Sequence, residues 1–285
     1  MAKVLAIIVT YNGMRWIDRC LGSVRAAGID AIVIDNGSTD GTAEYIAEHF
    51  PEMQLVQPGS NLGFGAANNI GLRKALDGKY DFAYLLNQDA WLNEDTLEKL
   101  LAAAAPEYAI LSPIQTDAEG KPDKRFARKC GKALASTAES IADVRFVMAA
   151  HWLVSRKAIE TVGGFSPAFK QYGEDDNWIH RARYFGYKVG VVPAAKAVHD
   201  RAERSVSKEA KMKLKCVATV VKVSNPCNCL AFRYIAEPFE LLCMAVKNAS
   251  CYPLKFIPTL LGRYGELTRL RAESKRRGAF LRVIS

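Results

Sequence analysis

Short apolar runs alternate with stretches of helical periodicity along the first two thirds of the chain. Residues 4–10 and 31–34 are continuous apolar runs rich in β-branched side chains, which is typical of strands buried on both faces. Between them, residues 17–27 carry apolar side chains at helical spacing. Because such strands and helices alternate through short links, the pattern predicts an α/β fold with a mostly parallel sheet flanked by helices.

The same periodicities predict the remaining elements. We predict further strands at 53–57, 82–86, 108–112, 144–154 and 188–192, and further helices at 39–49, 65–76, 94–104, 156–162 and 175–184. Ser38 or Thr39 is available to cap the second helix. Residues 116–135 are polar and basic with weak periodicity, and we expect a mobile loop there.

Polar side chains follow three of the predicted strands. The turns read TYNG from Thr10, DNGSTDG from Asp35 and NQD from Asn87. Each sequence alone is typical of a tight turn, but the carboxyl ends of neighbouring parallel strands meet at one edge, where such sheets bind ligands. Together the turns predict one polar crevice. In it, Asp35 could accept hydrogen bonds from a base or a ribose, and Asp89 suits Mg²⁺ or Mn²⁺.

A second polar cluster lies at the start of the last predicted helix. Glu174, Asp175 and Asp176 are consecutive carboxylates that follow a glycine. They would stabilise a helix N-terminus, but adjacent carboxylates also raise one another's pKa, which suits a general base that works near neutral pH. His199 becomes a candidate metal ligand only together with Asp89, because a lone histidine is more often structural.

Composition excludes several classes of protein. The chain has 285 residues, of which 49% are hydrophobic and 24% charged, so it is neither disordered nor membrane-embedded. No run approaches the roughly 18 apolar residues of a membrane span, and the N-terminus lacks the apolar core of a signal peptide. The seven cysteines are an odd number, which favours a reducing compartment. We therefore expect a cytoplasmic protein.

Two common nucleotide-binding motifs are missing. Gly63-Phe64-Gly65 begins like a dinucleotide fingerprint, but Asn68 stands where the third glycine belongs, and the segment does not follow the first strand. The sequence contains no P-loop motif. Both observations argue against nucleotide-dependent redox chemistry and P-loop chemistry.

The excess of positive charge lies in the last third of the chain. The net charge is +9, and residues 201–285 carry 17 Lys and Arg against 6 Asp and Glu. Strand signals end near residue 204, so we predict an α/β domain at 1–204 and a helical, basic region at 205–285. One predicted helical face carries Leu260, Leu261, Tyr264, Leu267 and Leu270, which fits a helix on an anionic membrane and equally one packed on the α/β domain or a second subunit. We expect no nucleic-acid partner, because no recognised module accompanies the charge.

Seven motifs occur in an order known from one enzyme family. They are VTYN at 9–12, DNGSTDGT at 35–42, NLGFGAANN at 61–69, LLNQD at 85–89, VGGF at 162–165, YGED at 172–175 and the late His199. Together they cover about residues 3–200 and resemble the inverting family 2 glycosyltransferases of GT-A fold, whose catalytic domain residues 1–204 would form. Asn87 stands in place of the first Asp of the family's Asp-x-Asp motif, as in the branch that includes many rhamnosyltransferases.

The resemblance implies a role for each matched residue. The residues that would bind the nucleotide are Thr10, Tyr11, Asn12, Asp35, Asn61, Asn69 and Asn87. Asp89, with His199, would bind the Mn²⁺ or Mg²⁺ ion that bridges the donor's diphosphate. Asp175 matches the family's catalytic base, with Glu174 as its neighbour and alternative.

These roles imply a metal-dependent, inverting glycosyltransferase of surface polysaccharide or glycan biosynthesis. A hexosyl or deoxyhexosyl unit would pass from a dTDP-, UDP- or GDP-linked donor to a hydroxyl group of a saccharide or lipid-linked glycan, in the cytoplasm or peripherally on the inner face of the membrane. Two alternatives stay open. A catalytically silent sugar-nucleotide or glycan-binding protein could keep the same residues. A sugar-nucleotide nucleotidyltransferase would need a glycine-rich, basic loop, and after the first strand only Arg15 is basic.

Overall fold

One mixed sheet organises the part of the chain that the computed structural model describes, residues 2–137, 140–201 and 207–281. Its nine described strands are β1 (Val4–Thr10), β2 (Asp30–Asp35), β3 (Gln54–Val56), β4 (Phe82–Asn87), β5 (Ala90–Leu92), β6 (Tyr108–Thr116), β7 (Ala142–Asp143), β8 (His151–Ser155) and β9 (Lys188–His199). The strand order is β3-β2-β1-β4-β8-β6-β9-β5, and β7 pairs with β9.

Helices flank this sheet and continue beyond it. Those of the first two thirds are α1 (Ile17–Ala26), α2 (Thr42–His49), α3 (Phe64–Asp77), α4 (Thr96–Ala102), α5 (Lys124–Leu134), α6 (Arg156–Val162) and α7 (Glu174–Tyr184). Those of the last third are α8 (Lys208–Ser224), α9 (Leu230–Lys247), α10 (Tyr252–Gly262) and α11 (Tyr264–Glu273). The predicted fold class is confirmed: two apolar cores cover the two faces of the sheet.

The first half of the sheet is parallel, as the apolar runs predict. β1 pairs in parallel with both β2 and β4, so that Thr10 lies opposite Asp35 and Val9 lies opposite Asn87. The three polar turns therefore leave the sheet at the same edge. Their arrangement in one place follows from the register alone.

The second half of the sheet contains antiparallel pairs. β8 runs antiparallel to both β4 and β6, whereas β6 and β9 are parallel. β5, which the sequence analysis does not predict, pairs antiparallel with the end of β9 and sets Ala90 opposite His199. This pairing fixes where the residues beside Ala90 lie relative to His199.

Three local predictions are wrong. Residues 116–135 contain α5, because Phe126, Cys130 and Ala133 form a buried stripe on a helix whose other face is basic. Only the end of the predicted strand 144–154 is a strand, β8. α2 begins after Gly41 with no side-chain cap, since the Ser38 hydroxyl bonds to Asp35 instead.

The basic C-terminal helices pack on the α/β part of the chain. A third apolar cluster joins Ala168 and Phe169 to side chains of α8, α9, α10 and α11. Leu260, Leu267 and Leu270 are buried in this cluster and Tyr264 packs against it, whereas Leu261 is 47% exposed. Of the two environments predicted for this face, most of its residues therefore have the packed one. In the described segments, no helix is long and apolar enough to cross a membrane. The predicted boundary at 204 and 205 lies outside the described residues.

Candidate functional site

A crevice of about 760 Å³ opens at the carboxyl edge of β1, β2 and β4. Residues of the three predicted turns line one side of it: Tyr11, Asn36, Asn87, Gln88 and Asp89. The loop before α3 contributes Asn61, Gly63 and Phe64, and the loop before α7 contributes residues 168–172. The crevice predicted from the strand ends is therefore present.

Gln88 holds the first and third turns together. Its Oε1 accepts hydrogen bonds from Thr10 Oγ1 at 2.8 Å and from the Tyr11 backbone N–H at 2.8 Å, and its Nε2 donates to the Tyr11 carbonyl at 3.2 Å. Thr10 is buried, whereas the Tyr11 ring is exposed on the crevice wall. Thr10 thus supports the wall from within, and Tyr11 forms part of the crevice surface.

The first and second turns are tied by Asn12 and Ser38. Asn12 has a positive φ of 49°, its N–H donates to Ser38 Oγ at 2.9 Å, and its Oδ1 accepts from the Thr39 N–H at 2.9 Å. The Asp35 carboxylate is buried and accepts hydrogen bonds from the hydroxyl and the N–H of Ser38. Asn12 and Asp35, both predicted as nucleotide-binding residues, thus share Ser38 as a hydrogen-bond partner and hold the first and second turns together.

Two asparagines connect the second turn to the loop before α3. Asn36 Nδ2 donates to Asn61 Oδ1 at 3.1 Å, and Asn36 Oδ1 accepts from the Leu62 N–H at 2.8 Å. Asn69 has a different task, because its amide donates to the Phe165 carbonyl and accepts from the Phe165 N–H at 3.0 and 2.7 Å. Asn69 is buried and is not among the residues that line the crevice, so we do not assign it to the donor site.

Asp89 lines the crevice, and His199 faces Asp89 at the crevice edge. Asp89 Oδ1 lies 3.6 Å from His199 Nε2, and both side chains are almost fully buried. The β5–β9 pairing brings them together, since Asp89 directly precedes Ala90, which pairs with His199. Asn87 lies two residues before Asp89, and its Oδ1 is buried without a hydrogen-bond partner among the described residues.

Gln115 orients the His199 ring and is a site residue that the sequence analysis misses. Its Nε2 donates to the Met148 carbonyl at 3.3 Å and to Ser112 Oγ at 3.4 Å, so its Oε1 is the atom that faces His199 Nδ1, at 3.3 Å. Nδ1 then carries the proton, which leaves the lone pair on Nε2, on the side of Asp89.

A second buried histidine braces the same strand end. His151 Nε2 bonds the Val198 carbonyl at 2.9 Å, and its Nδ1 bonds the Tyr84 hydroxyl at 2.8 Å. Burial lowers the pKa of His151 to about 3, so the ring is neutral at physiological pH. A neutral ring adds no positive charge beside the Asp89–His199 pair.

The Asp89–His199 pair fits a divalent cation only if the ligand supplies the remaining oxygens. Among the described residues, no group of three or more His, Cys, Asp and Glu side chains could hold a metal by itself. Mg²⁺ and Mn²⁺ are commonly held by one or two protein ligands together with phosphates and water. Asp89, His199 Nε2 and the unsatisfied Asn87 Oδ1 form such a partial donor set beside open space.

The carboxylate cluster forms the first turn of α7. Gly173 is the N-cap residue of this helix and follows the crevice residue Tyr172. Its φ of 91° is in the left-handed region. Burial raises the pKa of Glu174 to about 7, and the charge of Asp176 adds to the effect. Burial and the charges of Asp176 and Glu174 raise the pKa of Asp175 to about 7. Two groups on this turn are therefore poised to exchange a proton near neutral pH.

The three carboxylates are not among the residues that line the crevice. They follow Tyr172, the last crevice residue of the loop before α7. Their contact with α3 is close, because a Cβ atom on Gly65 would lie 2.9 Å from Phe165 Cβ and 3.8 Å from Glu174 Cβ. Glu174 Oε2 is buried and has no hydrogen-bond partner among the described residues. Trp178, one turn further along α7, is buried, and its Nε1 donates to the Gly163 carbonyl at 2.9 Å.

The C-terminal helices complete the crevice. Val217 and Val220 of α8 and Phe256 of α10 line it, and Arg263 stands at the junction of α10 and α11. Arg263 donates to the Ala168 carbonyl at 2.8 Å, which ties that junction to the loop before α7. One wall of the site is therefore apolar and comes from the basic region, which the motifs did not reveal.

Solved structures of glycosyltransferases share this fold. The mannosyltransferase PcManGT from Pyrobaculum calidifontis, solved with GDP-Man and Mn²⁺, aligns with a TM-score of 0.57 at 20% identity over 95% of this chain and 84% of that one. S. aureus TarS 1–349, solved with UDP-GlcNAc, aligns with a TM-score of 0.54 at 17% identity over 81% of this chain and 69% of that one. At such identities the likeness establishes the GT-A fold.

Comparison of sequences establishes the family, through a family profile that matches more than half of the chain. An N-acetylglucosaminyl-diphospho-decaprenol L-rhamnosyltransferase of Mycobacterium tuberculosis is 27% identical over 238 residues, which cover 71% of this chain and 78% of the relative. The dTDP-rhamnosyl transferase RfbF of Shigella flexneri is 23% identical over 212 residues, covering 72% of this chain and 71% of the relative. The sequence profile named Glycosyl transferase family 2 matches residues 5–163. The chain therefore belongs to glycosyl transferase family 2 and is a glycosyltransferase.

Proposed function

We propose that this glycosyltransferase is inverting and metal-dependent, and that it transfers a deoxyhexosyl or hexosyl unit from a nucleoside-diphosphate sugar to a hydroxyl group of a saccharide or lipid-linked glycan. The observation that carries the proposal is the buried Asp89–His199 pair, 3.6 Å apart at the edge of the crevice. A carboxylate beside a histidine nitrogen can supply the protein ligands of a divalent cation that also binds the diphosphate of a donor. The nucleotidyltransferase alternative is less well supported, because it would need a glycine-rich, basic loop for a triphosphate and only Arg15 is basic after the first strand.

The donor nucleotide would lie along the three turns at the carboxyl edge. Tyr11 would contact the base, Asp35 and Asn12 would hold the shape of the base and ribose pocket, and Asn61 and Asn87 would line it. Both rhamnosyltransferase relatives support a dTDP-linked deoxyhexose as the first donor to test. The UDP- and GDP-linked sugars named with the solved structures are the next.

Asp89, His199 and Asn87 would hold a divalent cation, Mn²⁺ or Mg²⁺. When bound, the cation would neutralise the charge that develops on the departing nucleoside diphosphate. Gln115 would support cation binding without contacting the cation. Its Oε1 accepts a hydrogen bond from His199 Nδ1 and so keeps the lone pair of the ring on Nε2.

Asp175 would act as the general base. An acceptor hydroxyl is a weak nucleophile, so a carboxylate must remove its proton as the oxygen attacks the anomeric carbon. The pKa of about 7 supports this role, since it balances the ionised fraction against basicity. Attack on the face opposite the diphosphate would invert the anomeric configuration. Glu174 would orient the acceptor or replace Asp175 as the base.

In this proposal residues 1–204 form the catalytic domain, and residues 205–285 form a helical region that completes its acceptor side. Val217, Val220 and Phe256 support this division of labour, because they give one crevice wall an apolar surface. Two relatives support a role in the assembly of surface glycans, since one is named for a diphospho-decaprenol-linked sugar and the other, from Haloferax volcanii, for glycan biosynthesis. We place this role at the inner face of the membrane.

A transfer assay tests the proposal. The full chain is incubated with Mn²⁺, an N-acetylglucosaminyl-diphospho-polyprenol acceptor and, in turn, labelled dTDP-rhamnose, UDP-GlcNAc and GDP-mannose. We expect the label to enter the lipid phase from one donor, and NMR of the product to show an inverted anomeric centre. Donor binding without transfer from any of the three would favour the silent binding protein, and a retained configuration would contradict the inverting mechanism.

A further inference from the structure

Helix α9 exposes a continuous apolar face. Five large side chains on this face are turned to solvent: Phe232 (61% exposed), Ile235 (78%), Phe239 (65%), Leu242 (46%) and Val246 (84%). Their spacing places them in one stripe, about 21 Å long at 1.5 Å per residue. The opposite face, with Leu241 and Ala245, is buried against the other C-terminal helices.

Within α9, no charged residue interrupts this stripe. The remaining positions of the face carry Ala231, Ala236 and Cys243, whereas Glu237 is buried on the far side with Arg233 and Lys222 as its ionic partners. Leu254 and Leu261 of α10 are also exposed. A contiguous apolar surface of this kind marks a place where a protein meets a partner or a membrane.

Lysines cluster at the C-terminal end of the stripe. Lys215 Nζ donates to Asn248 Oδ1 at 3.0 Å, and Lys213 Nζ lies 5.9 Å from the centre of the Tyr252 ring, so α8 brings its basic side to this end. Lys247 and Lys255 are exposed nearby in sequence. Two partly exposed acidic groups are neutralised by lysines of α8: Glu209 pairs with Lys213 at 3.3 Å, and Glu240 of α9 pairs with Lys222. The net charge beside the apolar stripe is positive.

We propose that the α9 stripe is a docking surface for an anionic lipid bilayer, with the apolar side chains in the interface and the lysines on the headgroups. A helix with an apolar face and basic flanks lies in the plane of such a surface. A second copy of the chain fits less well: with parallel α9 helices it would bring equal lysine clusters towards each other, and in the antiparallel arrangement it would still not supply the anionic headgroups that the lysines fit.

This surface is connected to the active site. α10 contributes Phe256 to the crevice wall and Leu254 and Leu261 to the exposed apolar surface. Docking through α9 would therefore hold the apolar end of the crevice next to the bilayer. The inference goes beyond the proposed function and does not depend on it, since vesicle binding requires neither donor nor acceptor.

Vesicle co-sedimentation of the full chain tests the proposal. Wild type is compared with Ile235→Gln combined with Val246→Gln, on vesicles of phosphatidylcholine with and without phosphatidylglycerol. We expect binding that needs phosphatidylglycerol and weakens with salt, and a loss of roughly tenfold or more in the double variant. The matched control, Leu134→Gln with Tyr184→Gln, changes exposed apolar residues of α5 and α7 and should bind as wild type does.

Two further measurements complete the test. Lys247→Gln with Lys255→Gln should lower binding to the anionic vesicles by roughly fivefold per lysine. Equal sedimentation of wild type and the apolar double variant would overturn the proposal. So would sedimentation-velocity data in which wild type is a dimer, the apolar variant is a monomer and neither binds vesicles.

Discussion

Asp89 Oδ1 lies 3.6 Å from His199 Nε2, although 110 positions separate the two residues in the sequence. The antiparallel pairing of Ala90 with His199 creates this contact, and Gln115 fixes which nitrogen of the ring faces Asp89. The candidate metal-binding pair therefore depends on a short strand and a buried amide that carry none of the family's motifs.

Removing the Gln115 amide should weaken metal binding. In Gln115→Met the side chain keeps its length, but the His199 ring loses the acceptor for its Nδ1 proton. We expect Mn²⁺ affinity in the presence of nucleotide to fall by about 10- to 100-fold, measured by calorimetric titration. Ser112→Ala is the control, because it removes a 3.4 Å contact of the same amide and a hydrogen bond to the Pro113 carbonyl but leaves the Gln115–His199 bond in place. An unchanged Mn²⁺ affinity in Gln115→Met would argue against this positioning role.

Replacing the proposed base should separate catalysis from binding. Asp175→Asn removes the proton acceptor while keeping the shape of the side chain, so we expect the transfer rate to fall by about 10²- to 10⁴-fold with the donor dissociation constant little changed. Glu174→Gln should cost less if Asp175 is the base. The reverse order of the two variants would assign the base to Glu174, and wild-type turnover in both would remove the cluster from the mechanism.

The carboxylate cluster should also affect stability as pH changes. The pKa of Asp175 is about 7 in the folded protein and is raised from 3.8, so the native state binds more protons than the unfolded state between about pH 4 and 7. Stability conferred by this group therefore falls as pH rises through that window. We expect the melting temperature of Asp175→Asn to fall less than that of wild type from pH 5 to pH 8. Parallel melting curves for the two proteins would contradict the raised pKa.

Because α3 packs closely on β1, we expect a larger residue at position 71 to destabilise the protein. A Cβ atom at Gly71 would lie 2.3 Å from Ile7 Cγ2 in the core. We expect Gly71→Ala to reduce the free energy of unfolding by about 1–3 kcal/mol, measured by urea denaturation. Gly22 of α1 is the matched control, since nothing lies within 4 Å of its added Cβ. Gly22→Ala should stabilise by about 0.5–1 kcal/mol, and equal effects of both changes would contradict the packing.

The parallel half of the fold was predictable because its signals are local. β1 is found at the predicted residues, and β2 and β4 extend the predicted runs by one or two residues. Buried parallel strands are continuous apolar runs, so their ends, and with them the crevice, can be located from the sequence.

The other half depends on contacts between distant residues. The predicted strand 188–192 ends where Pro193 interrupts the pattern, but β9 resumes its pairing with β6 at Lys196, opposite Ile114, and continues to His199. Proline cannot donate to a strand ladder, so a local reading stops there. The roles of Gln115 and His151 follow from this resumed strand and were invisible for the same reason.

Helices with charged or apolar surfaces also misled the sequence analysis. α5 was hidden by its lysines and arginines, because the stripe of Phe126, Cys130 and Ala133 is narrow. In the last third, the arginine-flanked Leu260, Leu267 and Leu270 are buried, whereas α9 presents Ile235 and Phe239 to solvent. Periodicity indicates that a face is apolar, but only packing decides whether the protein itself covers it.

The central claim is that Asp89 and His199 hold a divalent cation against a nucleoside diphosphate. A thermal-shift panel of UDP, dTDP, GDP and CDP, each with and without Mn²⁺, on wild type and Asp89→Asn tests it most directly, because a ligand that binds the native state raises its melting temperature. We predict a Mn²⁺-dependent rise with one nucleotide in wild type and none in Asp89→Asn. The same rise in both proteins, or no rise with any nucleotide at millimolar concentration, would contradict the claim.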